Sequence, residues 1–401
     1  MNAAFDARLT AELDALRAAG TYKHLRHLTG PMGAEVHMEE AGDVIVLSSN
    51  NYLGLADHPD VVAAGIEGLK KYGAGTASVR FICGTFDIHR ELEEKIANVF
   101  GFPAALSYVS CWTANEGLIP TVATAGNTII SDELNHASII DGCRLAGAKR
   151  ARYKHGDMAD LERQLQAAEG TAFIITDGVF SMEGSIAKLP EIVALAKRYD
   201  AVTIVDDSHG TGVMGKTGRG VIEHFGLEGQ IDVLTGTLGK ALGGAAGGFV
   251  AGSAALVDML VQRSRTQLFS NALPATVAAS ALKALELLES SPDLLERQRA
   301  NTAYFRAGLE RLGFAPLAGP SAIIPIIVGD TAFAIAMSDK LLQEGVFVTG
   351  FGFPVVPEGT ARIRVQMSSA LTRDELDRAL AAFEKVGTEL GVIGRAVPGH
   401  A

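Results

Sequence analysis

Cysteine is scarce. Cys83, Cys111 and Cys143 are the three in 401 residues, and no two stand in a CxxC pair. An odd, scattered set supplies neither a disulfide framework nor a zinc motif, so reduced thiols, a cytoplasmic location and no metal site are expected. Long apolar runs are missing too. Gly, Pro or a charged residue interrupts each one before the roughly 18–20 residues a membrane span needs. Residues Met1 to Gly20 mix Asp6, Arg8, Glu12, Asp14 and Arg17 into their apolar positions, which leaves no uncharged core for an export signal. Positive charge is in deficit, 35 Lys+Arg against 46 Asp+Glu, for a net charge of −11. An acidic surface argues against nucleic acid and against an anionic membrane as the main partner, while a small anionic ligand, which responds to local charge, stays compatible. Familiar catalytic signatures are lacking as well: there is no HExxH and no GxSxG. Gly236 to Lys240 lacks Walker A spacing, and Gly73-Ala74-Gly75 is followed by Ser78 where a dinucleotide fingerprint wants a third glycine.

What is present resembles a soluble enzyme: 48% hydrophobic residues, 20% charged and 45 glycines, the last implying many tight turns and close backbone approaches. The length exceeds the roughly 250–300 residues that one core supports, so more than one domain is expected. Residues 1–50 read as a helix, with Leu9, Leu13 and Leu16 at near-helical spacing, followed by an extended segment. In residues 51–275, helical stretches such as 60–72, 89–100, 157–168 and 190–199 alternate with short apolar runs. These runs are Ala104–Tyr108, Thr128–Ile130, Phe173–Thr176, Ala201–Val205, Val233–Leu234 and Gly248–Ala251. That alternation predicts an α/β domain, a mostly parallel sheet sandwiched by helices, whose ligands gather at the carboxyl ends of the strands. Residues 276–401 predict a smaller α+β C-terminal domain. Ala322–Val328 is interrupted by Pro325 and so reads as an edge strand, and Thr372 to Glu375 form a capping box that opens a final helix.

Polar residues cluster at the predicted strand ends. Asp206 follows Ala201–Val205 directly, and a carboxylate at the end of a buried strand needs a cationic partner. A protonated heterocyclic nitrogen would serve, as would a metal or a role as helix cap. Lys240 lies among glycines in Thr237-Leu238-Gly239-Lys240. Desolvation there would lower its pKa and favour Schiff-base chemistry, although an ordinary loop lysine has the same local sequence. Ser110-Cys111-Trp112 precede a helix-like stretch whose free amides would bind a phosphate. His136 could stack on an aromatic ring or be a core histidine. Arg362 and Arg364 share one face of a predicted strand, where one could clamp a carboxylate or both could form a solvated edge. The order of these features along the chain describes a pyridoxal phosphate site, since Schiff-base formation needs the lysine and the electron sink needs the aspartate.

The stretches Asn50 to Leu55, Ala77 to Thr85, Asn135 to Gly142, Thr176 to Met182, Val205 to His209, Gly236 to Gly244, Leu268 to Asn271, Val348 to Phe351 and Pro354 to Pro357 resemble the α-oxoamine synthases, and the likeness runs from about residue 5 to 394. The resemblance implies a fold-type I transferase dependent on pyridoxal 5'-phosphate. It also implies the condensation of glycine with acetyl coenzyme A to 2-amino-3-oxobutanoate, or the reverse in threonine breakdown. By the same resemblance Lys240 would bind the cofactor aldehyde, Asp206 its pyridine nitrogen and His209 its phenolic oxygen, with His136 stacked on the ring. Ser110, Cys111, Trp112, Thr237 and Ser270 would hold the phosphate, and Ser181 would lie beside the ring. Arg364 and Asn50 would bind the substrate. The family forms homodimers with shared sites, so Ser270 and Asn50 would come from the second copy.

Leu371 stands where that branch commonly has histidine, and Trp112 where a smaller aromatic is usual. Both bear on the acyl pocket. A longer acyl thioester, or serine or alanine in place of glycine, is the alternative within the family; a non-catalytic protein that keeps the fold is the alternative outside it. Lys23, His24, Arg26 and His27 read as a solvated helix face or as a contact for coenzyme A phosphates, and Cys83 and Cys143 as small buried hydrophobes.

Overall fold

The computed structural model describes residues 2–394. The chain forms two compact units. The larger comprises Asn50–Ser181 and Ser185–Arg297; the smaller comprises the chain up to Ser49, Met182–Gly184 and the chain from Gln298.

The larger unit is built on a seven-stranded sheet. Its order is Ala104–Tyr108, Gly248–Gly252, Val233–Thr237, Val202–Asp206, Ala172–Asp177, Thr128–Asp132, Lys149–Tyr153. Gly248–Gly252 runs antiparallel to both of its neighbours, and the other six strands share one direction. The mostly parallel sheet expected from the apolar runs is therefore present. Burial on both faces explains why those runs are continuous rather than alternating. Leu106, Ile129, Ile175, Ile204 and Val250 pack with Leu118 of the helix Cys111–Val122, Ile139 of Ala137–Leu145 and Leu260 of Ala254–Arg263. Each such side chain contributes about 1.5–3 kcal/mol when fully buried. The helices Pro59–Tyr72 and Asp87–Phe100 match the periodic stretches, and the first opens with proline in its first turn.

The smaller unit has two three-stranded sheets, one of Glu35–Met38, Gly42–Val46 and Val346–Phe347, the other of Ile323–Gly329, Ala361–Gln366 and Thr349–Phe351. Ile45, Leu47, Phe305, Ile363, Val365 and Phe383 lie in its core. Ile323–Gly329 is at a sheet edge, as Pro325 requires. The capping box at Thr372 and Glu375 opens the helix Arg373–Glu389.

Several expectations are corrected. Ala361–Gln366 is the central strand of its sheet and buried throughout, so Arg362 and Arg364 are not a solvated edge. Arg362 Nη1 donates to Met182 O and pairs with Glu183 Oε1, each at 3.0 Å. Residues 21–27 are irregular rather than helical; Arg26 pairs with Asp339 at 2.8 Å and His27 stands beside Glu40. Cys83 is exposed, in the wide turn Arg80–Gly84, whereas Cys143 is buried. Among the described residues no helix is long and apolar enough to cross a membrane.

Candidate active site

Within the larger unit, Ser110, Cys111, Trp112, His136, Ser181, Asp206, His209, Thr237 and Lys240 line one cavity of about 200 Å³, together with Ser138, Asp177 and Ser208. The sheet topology places them there. Asp206, Asp177 and Thr237 each end a strand, and parallel strands deliver their carboxyl ends to the same edge.

Ser110 follows the strand Ala104–Tyr108 and caps the helix Cys111–Val122. Its Oγ accepts from Thr113 N at 3.1 Å, and Thr113 Oγ1 accepts from Ser110 N at 3.2 Å. The capping box leaves the first-turn amides of Cys111 and Trp112 without intrahelical acceptors, at a wall that both residues line. The neighbouring strand approaches this turn closely. Gly247 N donates to Val109 O at 3.1 Å, and a Cβ on Gly248 would overlap the amide nitrogen of Cys111 and the carbonyl carbon of Ser110. Only glycine permits that approach.

Asp206 is 4% exposed. Its Oδ2 accepts from Asn115 Nδ2 at 2.6 Å and from the Cys111 thiol at 3.5 Å, and its Oδ1 accepts from Ser208 N at 3.0 Å. Because a carboxylate only accepts, this bond fixes the Asn115 amide, whose Oδ1 takes the Thr235 hydroxyl at 3.0 Å. Asn115 Nδ2 also lies 3.0 Å from Ser138 Oγ, which lies 2.8 Å from His136 Nδ1. One network thus joins the carboxylate to the histidine.

His136 caps the helix Ala137–Leu145 rather than sitting in the core. It opens onto the cavity, with Trp112 edge-on at 5.9 Å between ring centroids. Protein packed on its other side desolvates the imidazole and lowers its pKa. Ser138 N donates to Nδ1, which therefore accepts and leaves the ring proton on Nε2 in the neutral form. The His136 amide donates to Asp177 Oδ2 at 2.8 Å. Burial, and then the adjacent Asp206 charge, push the Asp177 carboxyl well above the usual range. Burial above all pushes the Cys111 thiol up, which makes it a poor nucleophile. Lys240 is half-buried, its Nζ 2.8 Å from His209 Nε2, and His209 Nδ1 lies 2.8 Å from the Tyr52 hydroxyl.

Asn50 and Ser270 do not line this cavity. Arg364 belongs to the smaller unit, where its Nη2 donates to Gln366 Oε1 at 3.0 Å and its guanidinium lies 4.5 Å from the Phe351 ring centre. Leu371 is buried in that unit's core. Sequence reasoning missed Asn115, Ser138, Tyr52, Asp177 and Ser208. Asp177 had a usable signal, since it follows the apolar run Phe173–Thr176 just as Asp206 follows its own. Among the described residues no group of three or more His, Cys, Asp or Glu is placed to hold a metal ion.

A half-buried amine, a buried carboxylate with fixed donors and an open helix N-terminus meet in one space. That set fits a ligand that carries an aldehyde, a protonatable ring nitrogen and a phosphate. Fold and site together define a fold-type I transferase whose cofactor is pyridoxal 5'-phosphate. The family model for aminotransferase class I and II matches residues 42–383. The chain is 50% identical over 388 residues to the 8-amino-7-oxononanoate synthase of Symbiobacterium thermophilum, covering 96% of this chain and 98% of that one. It is 47% identical over 397 residues to the 2-amino-3-ketobutyrate coenzyme A ligase of Escherichia coli K12, covering 98% and 100%. A solved structure of SPT (serine palmitoyltransferase) with its PLP internal aldimine superposes with a TM-score of 0.92 at 34% identity, covering 96% of this chain and 98% of that chain. The chain belongs to the aminotransferase class I and II family and, within it, to the α-oxoamine synthases.

Proposed function

We propose that the protein condenses glycine with acetyl coenzyme A, in the cytoplasm, to give 2-amino-3-oxobutanoate and coenzyme A, or runs this reaction backwards in threonine breakdown. The observation that carries the reading is the convergence of Lys240, His209, Asp206 and His136 on one cavity beside an open helix N-terminus. When bound, the cofactor supplies an electron-withdrawing ring that takes up the charge left on breaking a bond at the substrate Cα.

The protein's residues divide the remaining work. Asp206, with its charge fixed by Asn115 and the Ser208 amide, would keep the ring nitrogen protonated. The first-turn amides at Cys111 and Trp112, with Ser110 and Thr237, would bind the phosphate. His209 would meet the phenolic oxygen, His136 would lie against the ring face and Ser181 beside it. Lys240 would hold the aldehyde through Nζ, then remove the glycine Cα proton as a free amine. Arg364 would take the substrate carboxylate in bidentate fashion. Overall, one carbon–carbon bond forms between glycine Cα and the acetyl carbonyl carbon, and the coenzyme A thiol leaves.

Asn50 and Ser270 would serve the site of a second copy. Phe81 at 60%, Ile82 at 68% and Phe269 at 74% exposure lie on segments joined by the bridge between Val79 and Asn271, an apolar surface that supports a homodimer.

A second reading has its own support. The relative named 8-amino-7-oxononanoate synthase is as similar as the ligase, and Trp112, where the ligase branch usually has a smaller aromatic, lines the cavity. Thiol release from acyl thioesters of increasing length, with glycine, serine and alanine as acceptors, separates the two. Fastest turnover with acetyl coenzyme A and glycine supports the first reading; a clear preference for a long acyl chain or for alanine or serine overturns it.

A further inference from the structure

Asp177 has no part in the scheme above, yet it lines the same cavity as Asp206 and Lys240. It ends the strand Ala172–Asp177 and stands in register beside Asp206, the last residue of the neighbouring parallel strand. Both carboxyls are buried, Asp177 at 7% exposure and Asp206 at 4%. Two buried charges so placed repel, and such a pair settles with one carboxyl ionised and the other neutral.

The hydrogen bonds decide which is which. Asp206 receives three donors, the Asn115 side-chain amide and the Cys111 thiol on Oδ2 and the Ser208 backbone amide on Oδ1. Asp177 receives one, the His136 backbone amide on Oδ2 at 2.8 Å. A carboxylate gains from every donor it accepts, so the charge belongs to Asp206 and the proton to Asp177. The surroundings agree. Burial, then Asp206, then Asp132 at the end of the strand on its other side raise the Asp177 carboxyl well above the usual range. The His136 amide and a positive charge on Lys240 oppose that shift without reversing it, so its direction holds whether or not Lys240 is charged. His136, His209 and Cys111 complete the titratable side chains of the cavity. A protonated carboxyl has one O–H to give. Its carbonyl oxygen is the better acceptor, so the His136 amide marks Oδ2 as the carbonyl and puts the proton on Oδ1. Among the described residues no group accepts from Oδ1.

We propose that Asp177 is a neutral acid whose Oδ1–H is offered to the cavity as a hydrogen-bond donor for an oxygen of the bound molecule, the cofactor's phenolic oxygen or the substrate's carboxylate. The proposal deepens the functional reading and rests on this cavity as the pyridoxal phosphate site. Such a donor stabilises negative charge on that oxygen and, being neutral, does not compete with a ring nitrogen for Asp206.

The test is infrared spectroscopy of the full-length protein near neutral pH, with ¹³C in the aspartate carboxyls, which sets protonated aspartates apart from carboxylates and from glutamates. Cofactor-free protein is expected to show two protonated aspartates, Asp177 and the similarly raised Asp207. Asp177→Asn should remove one band and Asp207→Asn the other. Should Asp177→Asn not fold, the band left in Asp207→Asn reports Asp177 by itself. Added pyridoxal phosphate should move the Asp177 band to lower frequency, because its O–H gains an acceptor; a shift that waits for glycine assigns the acceptor oxygen to the substrate. Loss of no band in Asp177→Asn, or absence of any band in Asp207→Asn, overturns the proposal. So does a band that neither pyridoxal phosphate nor glycine moves while the cofactor is captured. Failure to capture the cofactor at all, read from its absorbance, refutes the functional reading instead, and the cofactor-free bands still judge Asp177.

Discussion

Replacing Asn115 with leucine, close in volume but unable to hydrogen-bond, isolates what holds the Asp206 carboxylate. Asn115 is buried, and the substitution deletes its three closest bonds, to Asp206 Oδ2 at 2.6 Å, to Ser138 Oγ at 3.0 Å and from Thr235 Oγ1 at 3.0 Å, along with a longer contact to the Cys111 sulfur at 3.9 Å. A hydrogen bond to a charged group contributes about 1.5–3 kcal/mol, and each neutral one about 1 kcal/mol. The three share one network, so the sum is an upper bound, and a loss of about 3 kcal/mol is expected. Urea unfolding of the cofactor-free protein measures it. A double-mutant cycle with Asp206→Asn separates the charged bond from the rest, and a coupling of about 1.5–3 kcal/mol is expected between the two positions. A stability change under about 0.5 kcal/mol for Asn115→Leu, or full additivity in the cycle, would show that the amide does not hold the carboxylate.

Two further perturbations probe the frame of the site. Gly248→Ala places a methyl group in the space of the Cys111 amide and the Ser110 carbonyl; the capped turn must shift, and cofactor affinity should fall at least about tenfold, the equivalent of 1.4 kcal/mol. Unchanged affinity in a folded variant would move the phosphate site elsewhere. Asp207→Asn tests a buried carboxyl whose Oδ2 accepts from Val221 N at 2.8 Å while its buried Oδ1 has no hydrogen-bond partner. Burial, opposed by the Val221 amide and reinforced by the Asp206 charge, raises its pKa well above the usual range. The native state therefore keeps a proton that the unfolded chain loses above its ordinary value of about 3.9. Stability falls as pH rises from there toward the raised native value, by up to about 1.4 kcal/mol per pH unit. The asparagine variant should lose that slope in part, since Asp177 has a raised pKa as well; an unaltered pH dependence of unfolding would contradict the assignment.

The parts of the site that were legible in the sequence are those with a local signal. Asp206 was visible because a buried parallel strand reads as an unbroken apolar run, and the first charged residue after it marks the strand's carboxyl end. The turn at Ser110 to Trp112 was visible because it stands between an apolar run and a helix-like stretch. Tyr52 and Asn115 were not visible, because their partners His209 and Asp206 lie far away in sequence and no periodicity encodes such a pair. The strand Lys149–Tyr153 was missed for another reason. It lies at the edge of the sheet and carries Lys149, Arg150 and Arg152, charges that guard an edge and erase the apolar pattern. Arg362 and Arg364 misled in the opposite sense, since two cations in a strand suggest solvent; here Arg362 meets Glu183 and a backbone carbonyl, and Arg364 meets Gln366 and an aromatic face, inside the smaller unit.

The central claim is that the amine of Lys240 is the group that binds the cofactor. Holoprotein is treated with borohydride, which makes the linkage permanent, then digested and analysed by mass spectrometry. The account predicts a single pyridoxyl-modified peptide with the added mass on Lys240, and none from Lys240→Ala. The same mass on another lysine, or its persistence in the alanine variant, would contradict it.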